Sequence, residues 1–173
     1  MAPAGAVSRR ALVVTVSTRA AAGVYTDESG PAAAAALGAL GFEVTDVLVV
    51  SDGPAVGAAL RAAVSQGQAL VVTTGGTGLA HDDVTPEQTA PLLDRPVPGL
   101  AEAVRTAGVA AGATAAVLSR GIAGLAGRTL IVNLPGSTRA VTESLSAIGA
   151  ALVHATEQVG GGDHPHHGRA TER

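Results

Sequence analysis

Short runs of apolar, β-branched residues alternate along this chain with longer segments rich in alanine. Runs with the length and composition of buried strands lie at 11–17, 43–50, 69–74 and 129–134. Segments that predict helices lie at 29–40, 54–66, 99–111 and 138–157. Strands that alternate with helices predict an α/β fold with a largely parallel sheet.

Turn and cap residues refine this pattern. Thr85-Pro86-Glu87-Gln88 predicts a capping box, with Thr85 as the helix cap and a short helix to about Asp94. The RPVPG segment is a break, and 115–118 is a short apolar piece. The polar ends, 1–9 and the Gly/His-rich 160–173, have no periodicity and predict disorder, which leaves one domain at 10–159.

Composition fits one domain with an unusual core. The chain has 173 residues, of which 47% are hydrophobic but only 1% aromatic, so Ala, Val, Leu and Ile must fill the interior. Such small side chains each bury little area, at about 25 cal/mol per Å². Further burial between subunits would stabilise this core, so we expect an oligomer.

Charge and cysteine content exclude several kinds of partner and of chemistry. The chain has 11 basic and 14 acidic residues and no basic stripe, which argues against nucleic acid as a partner. It has no cysteine, which excludes disulfides and a thiol nucleophile. The apolar run after Arg10 is too short for a signal peptide or a membrane span. We therefore expect a cytoplasmic protein.

The third predicted strand ends in the glycine-rich turn TTGGTG, residues 73–78. A dinucleotide fingerprint would need glycine where His81 stands, and a P-loop would need a lysine after Gly78, so neither motif is present. The turn still suits an oxyanion, because glycines expose backbone N–H groups and threonines add hydroxyl donors. Its candidate binding residues are Thr74, Gly75, Gly76, Thr77 and Gly78. The alternative is that the glycines form only a tight turn.

Two aspartates follow strands in this pattern. Asp83 stands two residues before the predicted cap, and Asp52 follows the second strand. If these strand ends are neighbours, the two carboxylates could share one Mg²⁺, which prefers oxygen ligands and keeps waters and substrate phosphates. The metal would then make an acidic site attractive to phosphate. The alternatives are that Asp83 favours the positive end of a helix and that Asp52 caps one.

Hydroxyl and guanidinium groups recur where other segments end. Such pairs suit anions, and free N–H groups at the start of the last helix would add to them. Capped helices with solvated arginines are the alternative. The candidate residues are Ser17 with Arg19, Ser119 with Arg120, and Pro135, Gly136 and Ser137 with Arg139.

Four segments together resemble a known family. GGTGLAHDDVTPEQT, NLPGS, LSR and STRAAAGVYTDESGP are similar to motifs of the molybdopterin-binding, molybdenum-cofactor biosynthesis family. The resemblance covers about 11–157 and implies a three-layer α/β/α domain with a mainly parallel sheet, assembled as a homotrimer. It also implies transfer of AMP from Mg-ATP to the molybdopterin phosphate, with release of pyrophosphate. A partner protein would then insert molybdate.

The resemblance assigns roles by motif. It implies that Asp52 and Asp83 support catalysis and Mg²⁺ binding, whereas the glycine turn, the LSR segment and the NLPGS loop bind the substrates. Two positions depart from the family pattern. Thr18 stands where the family often has aspartate, which removes an acidic contact, and Thr138 stands where proline is common, which would loosen that turn.

Three other functions remain open from the sequence. The first is a binding-only relative that holds molybdopterin or a nucleotide without turnover. The second is a cousin of the related domain in nicotinamide-mononucleotide deamidases, without the amidase domain. The third is a scaffold. Retention of both aspartates favours the adenylyltransferase.

Overall fold

The computed structural model describes residues 9–161. Within this range, six strands and six α-helices form one α/β domain. The strands are β1 (Arg10–Val16), β2 (Glu43–Val50), β3 (Leu70–Thr74), β4 (Arg95–Pro96), β5 (Ala123–Ala126) and β6 (Thr129–Leu134). The helices are α1 (Thr18–Ala21), α2 (Ser29–Ala39), α3 (Pro54–Ser65), α4 (Thr85–Thr89), α5 (Pro98–Ala110) and α6 (Thr138–Gly160).

The sheet has the strand order β2-β1-β3-β6-β5-β4. β2, β1, β3 and β6 are parallel to one another, and β5 and β4 add an antiparallel edge. β1, β3 and β6 lie in the centre with both faces covered, so all their residues except Arg10 are buried and most of them are apolar. The carboxyl ends of these strands meet at one edge, where ligands bind in open α/β sheets.

Two apolar layers pack on the two faces of this sheet. On one face, Val13 and Val72 pack in a cluster with residues of α2, α5 and α6. On the other, Val14 and Val71 pack in a second cluster with residues of α3. Alternate side chains of each central strand thus enter opposite layers. The predicted three-layer α/β/α fold with a mainly parallel sheet is confirmed.

Several predicted element bounds change. The 115–118 piece lies in a 3₁₀ turn at Thr114–Leu118, and β5 has no counterpart in the sequence prediction. The helix from Thr85 is α-helical only to Thr89 before a 3₁₀ turn. Of the ends predicted to be disordered, 1–8 and 162–173 lie outside the described residues, whereas Arg9 pairs with Glu157 at 2.6 Å. None of the helices within residues 9–161 has the length and apolar content to cross a bilayer.

Candidate active site

The glycine-rich turn passes directly over the end of β1. Gly75 and Gly76 have φ angles of +100° and +64°, in the left-handed region that favours glycine. A Cβ placed on Gly75 would lie 2.3 Å from the carbonyl oxygen of Val16, the last residue of β1. Any larger residue at Gly75 would therefore push the turn away from the sheet edge.

Hydrogen bonds tie this turn to the segments around it. The Gly75 N–H donates to the Leu134 carbonyl at 3.1 Å, and the Thr74 hydroxyl donates to the Pro135 carbonyl at 2.9 Å. The Thr85 hydroxyl donates to the Gly75 carbonyl at 3.0 Å. The ends of β3 and β6 and the start of α4 are thus held together at one point.

The predicted capping box at Thr85 is wrong. α4 begins at Thr85 itself, Val84 is its cap, and no side chain accepts a hydrogen bond there. The Thr85 hydroxyl is fully buried, so it needs a partner within the protein and finds one in the Gly75 carbonyl. Thr85 therefore fastens the glycine turn.

Asp52 reaches the turn across the end of β1. The expectation that Asp52 and Asp83 follow neighbouring strands is wrong, because β1 lies between β2 and β3. The loop after β2 nevertheless brings Asp52 over the end of β1, and a Cβ on Gly76 would lie 3.1 Å from its Oδ1. The helix after it has Gly53 as its cap, so Asp52 is not the capping residue.

Thr18 fixes the orientation of Asp52. Its backbone N–H and its hydroxyl both donate to Asp52 Oδ2, at 3.1 and 2.8 Å. The Asp52 N–H in turn donates to the Thr18 hydroxyl at 3.2 Å. The departure at Thr18 thus supplies a hydroxyl donor to the carboxylate, whereas the side chain of an aspartate would have repelled it. Thr18 is not among the site residues that the sequence pattern predicts.

Asp83 borders the same turn at Gly78, two residues after the glycine that Asp52 approaches. The Ala80 N–H donates to Asp83 Oδ2 at 3.0 Å, and a Cβ on Gly78 would lie 2.7 Å from that oxygen. Gly78 has no left-handed φ, so what it provides here is space for the carboxylate. Asp52 and Asp83 therefore lie against the first and last parts of a single short turn.

Arg120 binds the protein with all three nitrogens of its guanidinium group. Nε donates to the Gly78 carbonyl at 2.8 Å, Nη1 to the Glu87 carboxylate, and Nη2 to the Asp83 carbonyl. The hydrogen bond from Arg120 lowers the pKa of the Glu87 carboxyl below its ordinary value. The sequence pattern predicts Glu87 only as part of a capping box.

The remaining predicted residues have partners of their own. Ser17 and Ser137 cap α1 and α6 by accepting hydrogen bonds from Ala20 and Ala140 N–H groups. The Ser137 cap is closed with Thr138 as the first residue of α6, so the expected loosening of that turn is not seen. The Ser119 hydroxyl lies 3.4 Å from that of Thr77.

The two other arginines also contact the protein. The Arg19 guanidinium lies 5.6 Å from the centre of the Tyr25 ring. Arg139 donates to Glu143 at 2.6 Å and to the Ala111 carbonyl at 2.8 Å. These contacts tie Arg19 to Tyr25, and Arg139 to its own helix and to the residue that follows α5.

Two cavities flank the turn and share Gly136. The first, of about 560 Å³, has mainly apolar walls and contains Asp83, Ser119, Pro135 and the turn residues Gly75 to Gly78. The second, of about 720 Å³, is rich in hydroxyl groups and contains Ser17, Tyr25, Thr74 and Ser137. Asp52, Arg19, Arg120 and Arg139 line neither cavity.

The two carboxylates have the donor chemistry that Mg²⁺ requires. Thr18 occupies Asp52 Oδ2, whereas no hydrogen bond to Oδ1 is found among residues 9–161. The described part of the chain holds no cluster of three or more His, Cys, Asp or Glu residues that could enclose an ion. Mg²⁺ commonly binds through one or two carboxylates and keeps waters and phosphates, so these residues fit that ion.

The fold and site define an α/β domain with a ligand cleft at the carboxyl ends of its parallel strands. A family model described as a probable molybdopterin binding domain matches residues 12–155. The chain therefore belongs to the molybdopterin-binding domain family, as its motifs indicate.

Named relatives agree with this assignment. A molybdenum cofactor biosynthesis bifunctional protein of Synechococcus elongatus is 40% identical over 95% of this chain, which spans 52% of that protein. The molybdopterin adenylyltransferase of Haemophilus influenzae is 39% identical over 79% of this chain and 71% of its own length. The structure of a molybdopterin biosynthesis Mog protein from Mycobacterium ulcerans is 48% identical, with a TM-score of 0.83 over 88% of this chain and 99% of that one.

Proposed function

We propose that this protein is a molybdopterin adenylyltransferase. It transfers AMP from Mg-ATP to the terminal phosphate of molybdopterin and releases pyrophosphate. The observation that carries this proposal is that Asp52 lies against Gly76 and Asp83 against Gly78, on one glycine turn. The names of the relatives support the same reaction class.

The reaction needs positioning and charge neutralisation more than covalent catalysis. An oxygen of the molybdopterin phosphate forms a bond to the α-phosphorus of ATP, and the bond from that phosphorus to the oxygen bridging it to the β-phosphate breaks. The Gly75 N–H and the Thr74 hydroxyl already donate within the protein. Gly76 and Gly78 offer backbone N–H groups that no Cβ shields, and Ser17 and Ser137 offer hydroxyls nearby. These donors orient the phosphates for in-line transfer.

Asp52 and Asp83 are the residues that would hold Mg²⁺, with Thr18 orienting Asp52. A bound Mg²⁺ neutralises charge on the phosphates, which two carboxylates alone would repel. Because Asp52 Oδ2 already accepts two hydrogen bonds, Oδ1 is its oxygen available to the metal.

The paired cavities suit a reaction with two substrates. They share Gly136, beside the glycine turn, so two ligands could bring their phosphates together there. The apolar walls of the first suit a ring system, and the hydroxyls of the second suit a phosphorylated or sugar-bearing ligand.

The proposal includes an assembly and a location. β2 is an edge strand whose apolar side chains remain partly exposed, for example Val49 at 39%, and contact between subunits would bury them. A homotrimer, a separate protein that inserts molybdate, and a cytoplasmic location complete the proposal.

The test is product formation by the purified protein. With molybdopterin, ATP and Mg²⁺ together, we expect release of pyrophosphate and a product heavier than molybdopterin by one adenylyl group. Omission of any one component should abolish both signals. Binding of molybdopterin without pyrophosphate release, with the other components proven competent, would identify a binding-only member of the family instead.

A further inference from the structure

Asp83 lacks the direct support that Asp52 receives. One hydrogen bond reaches its carboxylate from within the described chain, and it comes from Ala80 in the same loop. Residues 79–82 of that loop are exposed, with Leu79 at 66%. The position of the Asp83 carboxylate therefore depends on what holds the main chain of residues 78–83.

Arg120 is the side chain that holds this loop. It donates to the carbonyl of Gly78, where the loop begins, and to the carbonyl of Asp83, where it ends. Its own backbone N–H donates to the Thr77 carbonyl at 2.8 Å, which seats Arg120 beside the glycine turn. The third arm of the guanidinium reaches Glu87 on α4, 33 residues away in sequence.

We propose that Arg120 is a positioning residue that sets the Asp83 carboxylate through the main chain, and that Glu87 holds Arg120 in that position. This set of contacts is called the Arg120 clamp below. The inference rests on the proposed function, because it concerns how Asp83 is aimed for adenylyl transfer. It also gives Arg120 a different task from the phosphate binding that its motif implies.

The geometry of the contacts requires arginine. A guanidinium group is planar and presents five N–H donors in a fixed fork, so it can serve two carbonyls and a carboxylate at once. A lysine ammonium is a compact point charge on one flexible stem and cannot span the same acceptors. Glutamine at position 87 would still accept a hydrogen bond, whereas alanine would not.

The test compares steady-state kinetics of wild type, Arg120→Ala, Arg120→Lys, Glu87→Gln and Glu87→Ala. Arg120→Ala and Arg120→Lys should lower kcat by about 10- to 100-fold with each KM within about 3-fold, since misplacing a catalytic group costs rate. Glu87→Ala should show a smaller loss of the same kind, and Glu87→Gln should recover most of it. Arg128→Ala, at an exposed arginine in the β5–β6 turn, is the matched control and should leave kcat unchanged.

Hydrogen exchange supplies a readout that does not need turnover. In Arg120→Ala the Ala80 N–H, which donates to Asp83, should exchange at least about 10-fold faster than in wild type, and in Arg128→Ala it should not. If wild type makes no product, the proposed function fails while exchange still tests the clamp. If Arg120→Ala does not fold, Arg120→Lys and Glu87→Ala carry the same comparison.

The overturning result is also specific. A rise of 10-fold or more in a substrate KM, with kcat and Ala80 exchange unchanged, would make Arg120 a phosphate ligand and end the clamp proposal. Unchanged kinetics and unchanged exchange in both Arg120 variants would show that Arg120 does not position the Asp83 carboxylate.

Discussion

Asp52 and Asp83 border one turn but are held in different ways. Thr18, from a separate element, donates twice to the Asp52 side chain. Asp83 receives one local hydrogen bond at its carboxylate, and Arg120 secures it through its carbonyl. One acid is therefore fixed at its side chain and the other through its backbone.

This difference suggests that the two acids have different tasks, one in holding the metal and the other in the reaction itself. A carboxylate with one oxygen occupied and one open suits a constant metal ligand. A carboxylate on an exposed loop has more freedom to adjust as substrate enters. Substitutions at each acid and at its supports should therefore affect metal affinity and rate to different degrees.

The largest effect is expected from Asp83→Asn. Loss of the charge next to the reacting phosphates should lower kcat by about 10²- to 10³-fold, the range seen when one electrostatic contact of a catalytic site is removed. Pyrophosphate release measures it, and molybdopterin binding should persist. Asp82→Asn, at the exposed neighbouring acid, is the control. Near-normal turnover of Asp83→Asn would remove Asp83 from the chemistry.

Asp52→Asn should act mainly on the metal. We expect the apparent Mg²⁺ constant to rise by about 10-fold, equal to about 1.4 kcal/mol, with a smaller loss of rate at saturating Mg²⁺. Titration of activity with Mg²⁺ measures this shift. Asp46→Asn, at an exposed aspartate within β2, is the control. A Mg²⁺ titration identical to wild type would refute the role of Asp52.

Gly78→Ala fills the space beside the Asp83 carboxylate without contacting any other residue. A Cβ there would lie 2.7 Å from Asp83 Oδ2, and the flexible carboxylate can move away, so kcat should fall by about 10-fold with little loss of stability. Gly38→Ala within α2, where a Cβ meets nothing within 4 Å, should instead raise stability by about 0.5–1 kcal/mol. Thermal unfolding measures the stability of both variants, and steady-state kinetics measure their kcat. An unaffected kcat in Gly78→Ala would show that the space beside the Asp83 carboxylate does not matter to the reaction.

Thr18→Val removes the hydroxyl donor to Asp52 and keeps the backbone donor. A hydrogen bond to a charged group contributes about 1.5–3 kcal/mol when buried and less here, where Thr18 is exposed. We expect the apparent Mg²⁺ constant to rise by about 3-fold, and Thr18→Ser should restore it. If valine and serine behave alike, the hydroxyl does not orient Asp52.

The smallest expected effect concerns pH and the Arg120 clamp. The pKa of Glu87 is lowered from 4.5 by its hydrogen bond to Arg120, so the pair stabilises the fold above that pH. The contribution is lost as pH falls through the lowered pKa, and it is small because the pair is partly exposed. Unfolding temperatures of wild type and Glu87→Gln should differ most near neutral pH and converge in acid. A gap that persists in acid would contradict this linkage.

The sequence predicted most of the fold because strand and helix periods are local properties. The strands 43–50 and 129–134 were predicted residue for residue. β5 was missed because its sequence, AGLA, has small residues and no β-branched one, and its pairing with β6 stabilises it. The Gly127-Arg128 turn between them was the one available signal of a hairpin.

The candidate site was predicted only in part, because its key contacts are long-range. The sequence pattern predicts the turn and both aspartates as site residues, since the turn and Asp52 follow strands and Asp83 shortly precedes a helix. The sequence pattern does not predict the strand order β2-β1-β3. Asp52 was therefore expected on a strand next to β3, whereas it reaches the glycine turn after β3 from across β1. Thr18 with Asp52 and Arg120 with Glu87 pair across 34 and 33 positions, which no local pattern reveals.

The most direct measurement is a crystal structure with Mn²⁺ and a non-hydrolysable ATP analogue, in which anomalous scattering locates the ion. We predict an ion in contact with Asp52 Oδ1 or the Asp83 carboxylate, with nucleotide phosphates on the turn of Gly75 to Gly78. An ordered nucleotide that lies away from this turn, with no ion beside either aspartate, would contradict the account.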